Sequence, residues 1–105
     1  MTVPRPLPAE EVDERLRALA GWSGDTAGIS KTFAVDYYTG IRIVVDVAKA
    51  AKEMRHHPDI DVRWGTLRFA ITTHDAGDKV TELDFRLAER IDEIAGHHGA
   101  SGGSR

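Results

Sequence analysis

Apolar positions recur along this chain at two periods, and the switches between them mark the order of its elements. Residues 9–20, AEEVDERLRALA, place Val12, Leu16, Leu19 and Ala20 at helical spacing. Glu10 and Glu11 fall in the first turn, where the helix dipole favours acids, and Gly21 marks the end. From Ile29 to Val35 the period drops to two: Ile29, Lys31, Phe33 and Val35 alternate with Ser30, Thr32 and Ala34, which predicts a strand paired with one near Trp22. Between Tyr38 and Arg55 the helical period returns, with Ile41, Val44, Val45, Ala48 and Ala51 as its apolar face. The β-branched run Ile43-Val44-Val45 argues for strand, but the length of the segment and its Ala-rich turns favour helix. Pro58 disfavours helical geometry at His57, so the helix ends near His56.

Two alternating runs follow. Ile60, Val62 and Trp64 alternate with Asp61 and Arg63, and Leu67, Phe69 and Ile71 alternate with Arg68, Ala70 and Thr72. Meeting at Gly65, they predict a β-hairpin. A turn at DAGD (75–78) leads to a last helix with Thr81 as N-cap, Asp84 as its capping-box acid, and Val80 and Phe85 at the staple positions. Leu83, Leu87, Ile91 and Ile94 form its apolar stripe. The order α-β-β-α-β-β-α predicts an α+β two-layer sandwich, a four-stranded antiparallel sheet with three helices on one face.

The chain has 105 residues, enough for one small domain. Pro4, Pro6 and Pro8 predict an extended N-terminal arm over 1–8, and GHHGASGGSR predicts a flexible tail over 96–105, which leaves a folded domain at 9–95. No apolar core follows a basic start, and the apolar stretch around Ile43 to Val47 is short and broken by Asp46, so a cytoplasmic protein without membrane contact is expected. A formal net charge of −3 argues against broad electrostatic binding to nucleic acid. The chain lacks cysteine, which removes disulfides, thiolate metal sites and cysteine nucleophiles.

Histidine is the residue type that changes the picture. If Trp64-Gly65 is a two-residue turn, Ile60 faces Phe69 and Val62 faces Leu67, and extending that register projects His56 and His57 beside Thr73 and Thr72. His74 is one step further, so three histidines converge at one end of the sheet. Three readings are open for them. They can cap a helix C-terminus, where a cation is favoured. They can bind a metal, although His56 and His57 are adjacent and point apart, and there is no histidine pair at HExxH spacing. They can perform general acid–base catalysis without a metal, one ring donating while another accepts near neutral pH. His97 and His98, set among glycines, are expected to be solvated and idle.

The run Glu53-Met54-Arg55-His56-His57-Pro58-Asp59-Ile60, then Trp64, Thr72-Thr73-His74-Asp75, and Thr81-Glu82-Leu83-Asp84-Phe85 with Leu87-Ala88, resembles the pterin-4a-carbinolamine dehydratase family. Gly21-Trp22 and Lys31-Thr32-Phe33 fit as well, so the resemblance spans nearly all of 9–95. It implies a small α+β enzyme that dehydrates 4a-hydroxytetrahydropterin to quinonoid dihydropterin, with no metal or other cofactor. It further implies a homodimer or homotetramer serving an aromatic amino-acid hydroxylase pathway. Carried over by position, His56, His57 and His74 are the catalytic histidines. The same three, with Pro58, Thr73, Asp75, Ala76 and Asp84, line the pterin site; Asp84 reads equally as the capping acid of its helix. Lys52 stands where the family usually has glutamate. The resemblance also allows a member that binds pterin without turnover, or one that acts as a protein-interaction coactivator.

Overall fold

The computed structural model describes residues 4–100. Along the chain run α1 (Ala9–Arg17), β1 (Ser23–Asp25), β2 (Gly28–Ala34), α2 (Tyr37–Met54), β3 (Asp59–Arg63), β4 (Thr66–Ile71) and α3 (Glu82–His97), with a single 3-10 turn at His74–Ala76. The strands form one antiparallel sheet in the order β1-β2-β4-β3. The alternation in the sequence places Ile29 and Phe33 of β2 and Leu67, Phe69 and Ile71 of β4 on the inner face. Val12 of α1, Ile43 and Val47 of α2, and Phe85, Leu87 and Ile91 of α3 complete the same core. The element order and the α+β sandwich are those the periodicity predicts.

The β3–β4 register, which decides where the histidines fall, also agrees: Ile60 pairs with Phe69 and Val62 with Leu67. Gly65 takes a positive φ of 88° in the two-residue turn, a conformation glycine adopts without steric cost. Lys31, on the inner face of β2, is buried because its ammonium donates to the Ala20 carbonyl (2.9 Å) and to Asp92 (2.8 Å). Asp92 also accepts from the Trp22 indole at 3.1 Å.

Three expectations within the elements are corrected. The buried face of α2 is Gly40, Ile43, Val47, Ala50 and Ala51, whereas Ile41, Val45 and Ala48 are exposed. This helix carries apolar residues on more than one face, and the face holding Ile43 and Val47 is the one turned to the sheet. Trp64 is exposed rather than inward, because it occupies the hairpin turn and not the pleat. Leu83 is half-buried at the start of α3, outside the packed stripe.

The chain end behaves differently from a glycine-rich coil. Gly96 and His97 form the last turn of α3, and Gly99 (φ 80°) closes it in a Schellman motif, with Gly99 N–H donating to the Gly96 carbonyl and Ala100 N–H to the Ala95 carbonyl. Ala100 is buried, and His98 Nε2 lies 2.8 Å from Asp46 of α2. His98 is therefore engaged rather than idle. In the N-terminal arm, Leu7 is anchored in the core by apolar contact and by its N–H to the Val80 carbonyl (2.9 Å). The rest of the predicted arm and tail, residues 1–3 and 101–105, lies outside the described residues.

Candidate active site

The cleft is built from the C-terminal end of α2 outward. Arg55 ends that helix in a left-handed conformation (φ 55°), and His56 N–H closes back on the Ala51 carbonyl at 3.1 Å. This reversal turns the chain through His57 and Pro58 into β3 and drives the His56 ring inward. His56 is 7% exposed, and its Nε2 lies 2.6 Å from Asp84 Oδ1.

Asp84 occupies the third position of α3 and has no exposed surface. Its Oδ2 accepts from the Thr81 amide (2.8 Å) and the Thr73 hydroxyl (2.8 Å), while the Thr81 hydroxyl accepts from Leu83 N–H at 3.2 Å. Capping of α3 and orientation of His56 thus use the same carboxylate. An ionised carboxylate only accepts, so Nε2–H of His56 is the donor, and in the neutral ring Nδ1 is then the free acceptor. The register projected His56 beside Thr73, and Asp84 is the group that joins them.

His74 begins the 3-10 turn and is solvent-exposed. Its Nδ1 lies 2.6 Å from Asp78 Oδ1, and Asp78 sits at φ 59° after Gly77. The hydrogen bond to Asp78 raises the His74 pKa above the ordinary histidine value, and the charges of Asp78, Asp59 and Asp75 add to it. One histidine is thus held by a buried carboxylate and another by an exposed one.

These groups line an open cleft of about 260 Å³ formed by Arg55, His56, His57, Pro58, Asp59, Thr72, Thr73, His74, Asp75 and Leu83. All three sequence-predicted histidines reach it, with Pro58, Thr73 and Asp75. Two predicted residues do not: Ala76, in the 3-10 turn, is outside the lining, and Asp84 is fully buried against His56. Lys52, on the last turn of α2, is exposed and also outside the lining. Of the larger concavities, one of about 340 Å³ on the open sheet face and one of about 640 Å³ between the arm and α3 contain no histidine, and one of about 320 Å³ between α2 and α3 contains only His97. Sequence reasoning missed Arg55, Asp59, Thr72, Leu83 and Asp78; the His74-to-Asp78 spacing was the available signal for the last. Among the described residues no group of three or more His, Asp or Glu is arranged to hold a metal ion.

A four-stranded sheet covered by three helices, with a histidine cleft at one sheet end and a carboxylate behind each of two rings, defines a small α+β protein equipped for proton transfer. Residues 5–94 match the family model described as pterin 4 alpha carbinolamine dehydratase, and the chain belongs to that family. A protein of Streptomyces avermitilis provisionally named as such a dehydratase is 38% identical over 97 residues, covering 91% of this chain and 96% of the relative. One from Roseiflexus sp., also provisionally named, is 47% identical over 85 residues, 80% of this chain and 90% of its own. A crystal structure from Brucella melitensis, described as a transcriptional coactivator/pterin dehydratase, superposes with a TM-score of 0.79 at 30% identity, covering 85% of this chain and 97% of that one.

Proposed function

We propose that this protein catalyses the dehydration of a 4a-hydroxytetrahydropterin, with His74 as general acid and His56 as general base. The observation that carries the reading is the pairing of each ring with its own carboxylate on one cleft. The reaction removes the hydroxyl from C4a and the hydrogen from N5, forming a C4a=N5 double bond and water. His74, raised in pKa by Asp78, holds its proton to higher pH than an ordinary histidine and can protonate the departing hydroxyl through Nε2. His56, with Nε2–H committed to Asp84, offers Nδ1 to the N5 proton. Each ring then returns to its starting state by exchange with solvent. His57, exposed in the lining, orients the pterin, and Asp59 and Asp75 offer acceptors to its amino and ring N–H groups.

Leu83 and Pro58 supply the apolar contacts that a flat bicyclic ring requires. No separate cofactor is called on, because the step involves only protons and water. The protein acts in the cytoplasm on the product of an aromatic amino-acid hydroxylase, as a homodimer or homotetramer; the exposed Ile41 and Val45 on α2 support self-association.

Stopped-flow absorbance of enzymatically generated 4a-hydroxypterin tests the reading. His56→Ala and His74→Ala are each expected to lose about 10²–10⁴-fold in kcat, the usual scale for one positioned proton-transfer group. Turnover by either at the parent's rate overturns the assignment.

A further inference from the structure

Among the described residues, only two besides glycine adopt a left-handed backbone, Arg55 (φ 55°) and Asp78 (φ 59°), and both adjoin the histidine cleft. Left-handed backbone is disfavoured for residues with a Cβ, and glycine would satisfy the geometry of either turn. At position 78 nothing hinders glycine: the preceding residue is already Gly77, at φ 74°. What Asp78 adds beyond the turn is its carboxylate, 2.6 Å from His74 Nδ1. An exposed histidine without such a partner is free to rotate and to present either nitrogen.

We infer that Asp78 is a positioning residue for the dehydration, holding His74 through Nδ1 so that Nε2 carries the proton and faces the cleft. The inference rests on the functional reading above and adds to it the group that sets His74's direction and protonation. Aspartate is the carboxylate best suited to the place, because its short side chain tolerates left-handed backbone better than glutamate does. Two other charges act on the same ring, Asp75 from its own loop and Asp59 at the start of β3, and Arg55 and His57, from the connection between α2 and β3, line the cleft with it. Asp59 and Asp75 reinforce the effect of Asp78 but make no hydrogen bond to the ring.

The test compares the parent with Asp78→Asn and Asp78→Gly. Asn keeps tolerance of the left-handed turn without the charge; Gly removes the side chain and eases the backbone. The His74 ring is titrated by NMR, with exposed His97 as internal reference, and kcat/KM is measured against pH. In both variants the His74 pKa is expected to fall toward the ordinary histidine value, and the alkaline limb of kcat/KM to move down by the same interval. On that limb activity drops about tenfold for each unit of the shift, while Asp78→Gly unfolds at no lower temperature than the parent. A purely structural turn residue predicts instead that Asp78→Gly matches the parent in titration and pH profile, which overturns the inference. So does a His74 titration that moves while the alkaline limb stays in place. If the parent dehydrates no 4a-hydroxypterin, the functional reading fails, and the titration still reports on the His74–Asp78 pair by itself.

Discussion

Asp84 joins stability to chemistry in one side chain: it has no exposed surface and three partners, His56, Thr73 and the Thr81 amide. Asp84→Ala leaves the His56 ring and the Thr81 amide without that acceptor in the interior, the Thr73 hydroxyl keeping Thr81 Oγ1, and a loss of about 3–5 kcal/mol in urea unfolding is expected. Asp84→Asn keeps the volume but turns one acceptor into a donor facing groups that already donate, with an expected cost of about 1–3 kcal/mol. Arg55 works in the opposite direction. Relief of its left-handed backbone is worth about 1–2 kcal/mol, and the extra unfolded-state freedom of glycine takes back about 0.5–1. Arg55→Gly is therefore expected to stabilise by up to about 1.5 kcal/mol, read from the same denaturation curves. At this scale the convergence of His56, Thr73 and His74 was legible, since hairpin register follows from alternation and a glycine turn. The depth of Asp84 was not, because it depends on how the N-terminus of α3 docks against the end of α2.

The elements show where periodicity resolves structure and where it does not. Strands β2, β3 and β4 were readable because one face is apolar and a one-residue slip would invert it. Helix α2 was readable as a helix but not in rotation, because Ile41, Val45 and Ala48 form a stripe as apolar as the one that packs. Ile43→Ala is expected to cost about 2–5 kcal/mol, whereas Ile41→Ala stays within about 0.5 kcal/mol in the isolated chain; equal effects would mean that the helix is rotated. The end of α3 was misread because glycine is both a coil former and the preferred residue for a left-handed cap, and only the buried Ala100 separates the two. The contact between His98 and Asp46 adds a pH dependence. The hydrogen bond from His98 holds the Asp46 pKa below its ordinary value. A depressed carboxylate pKa contributes stability above the ordinary value, which is lost as pH falls through the lowered one. Asp46→Asn is thus expected to melt below the parent at neutral pH, the gap closing in acid, as thermal unfolding across a pH series would record.

For the whole molecule, the face of α2 that does not meet the sheet is the strongest physical argument for assembly. Ile41 is 37% and Val45 49% exposed, and Tyr38 lies one turn before them with Tyr37 beside it. Tyr37 stacks on the exposed Trp64 of the hairpin turn, with ring centroids 6.4 Å apart. An apolar helix stripe continued by stacked aromatic rings is costly to leave in water, and a second copy of the chain would cover it. The side chains assigned to the chemistry, His56, His57, His74, Asp78 and Asp84, all come from one chain, positioned by α2, the 3-10 turn and α3. Assembly and chemistry are therefore expected to separate. The double variant Ile41→Asp, Val45→Asp should sediment as a monomer at concentrations where the parent is a dimer or tetramer, and should dehydrate 4a-hydroxypterin at the parent's rate per chain. A parent that sediments as a monomer removes the argument for assembly through this face. A monomeric variant that stays folded but loses turnover would mean instead that a partner subunit completes or steadies the cleft.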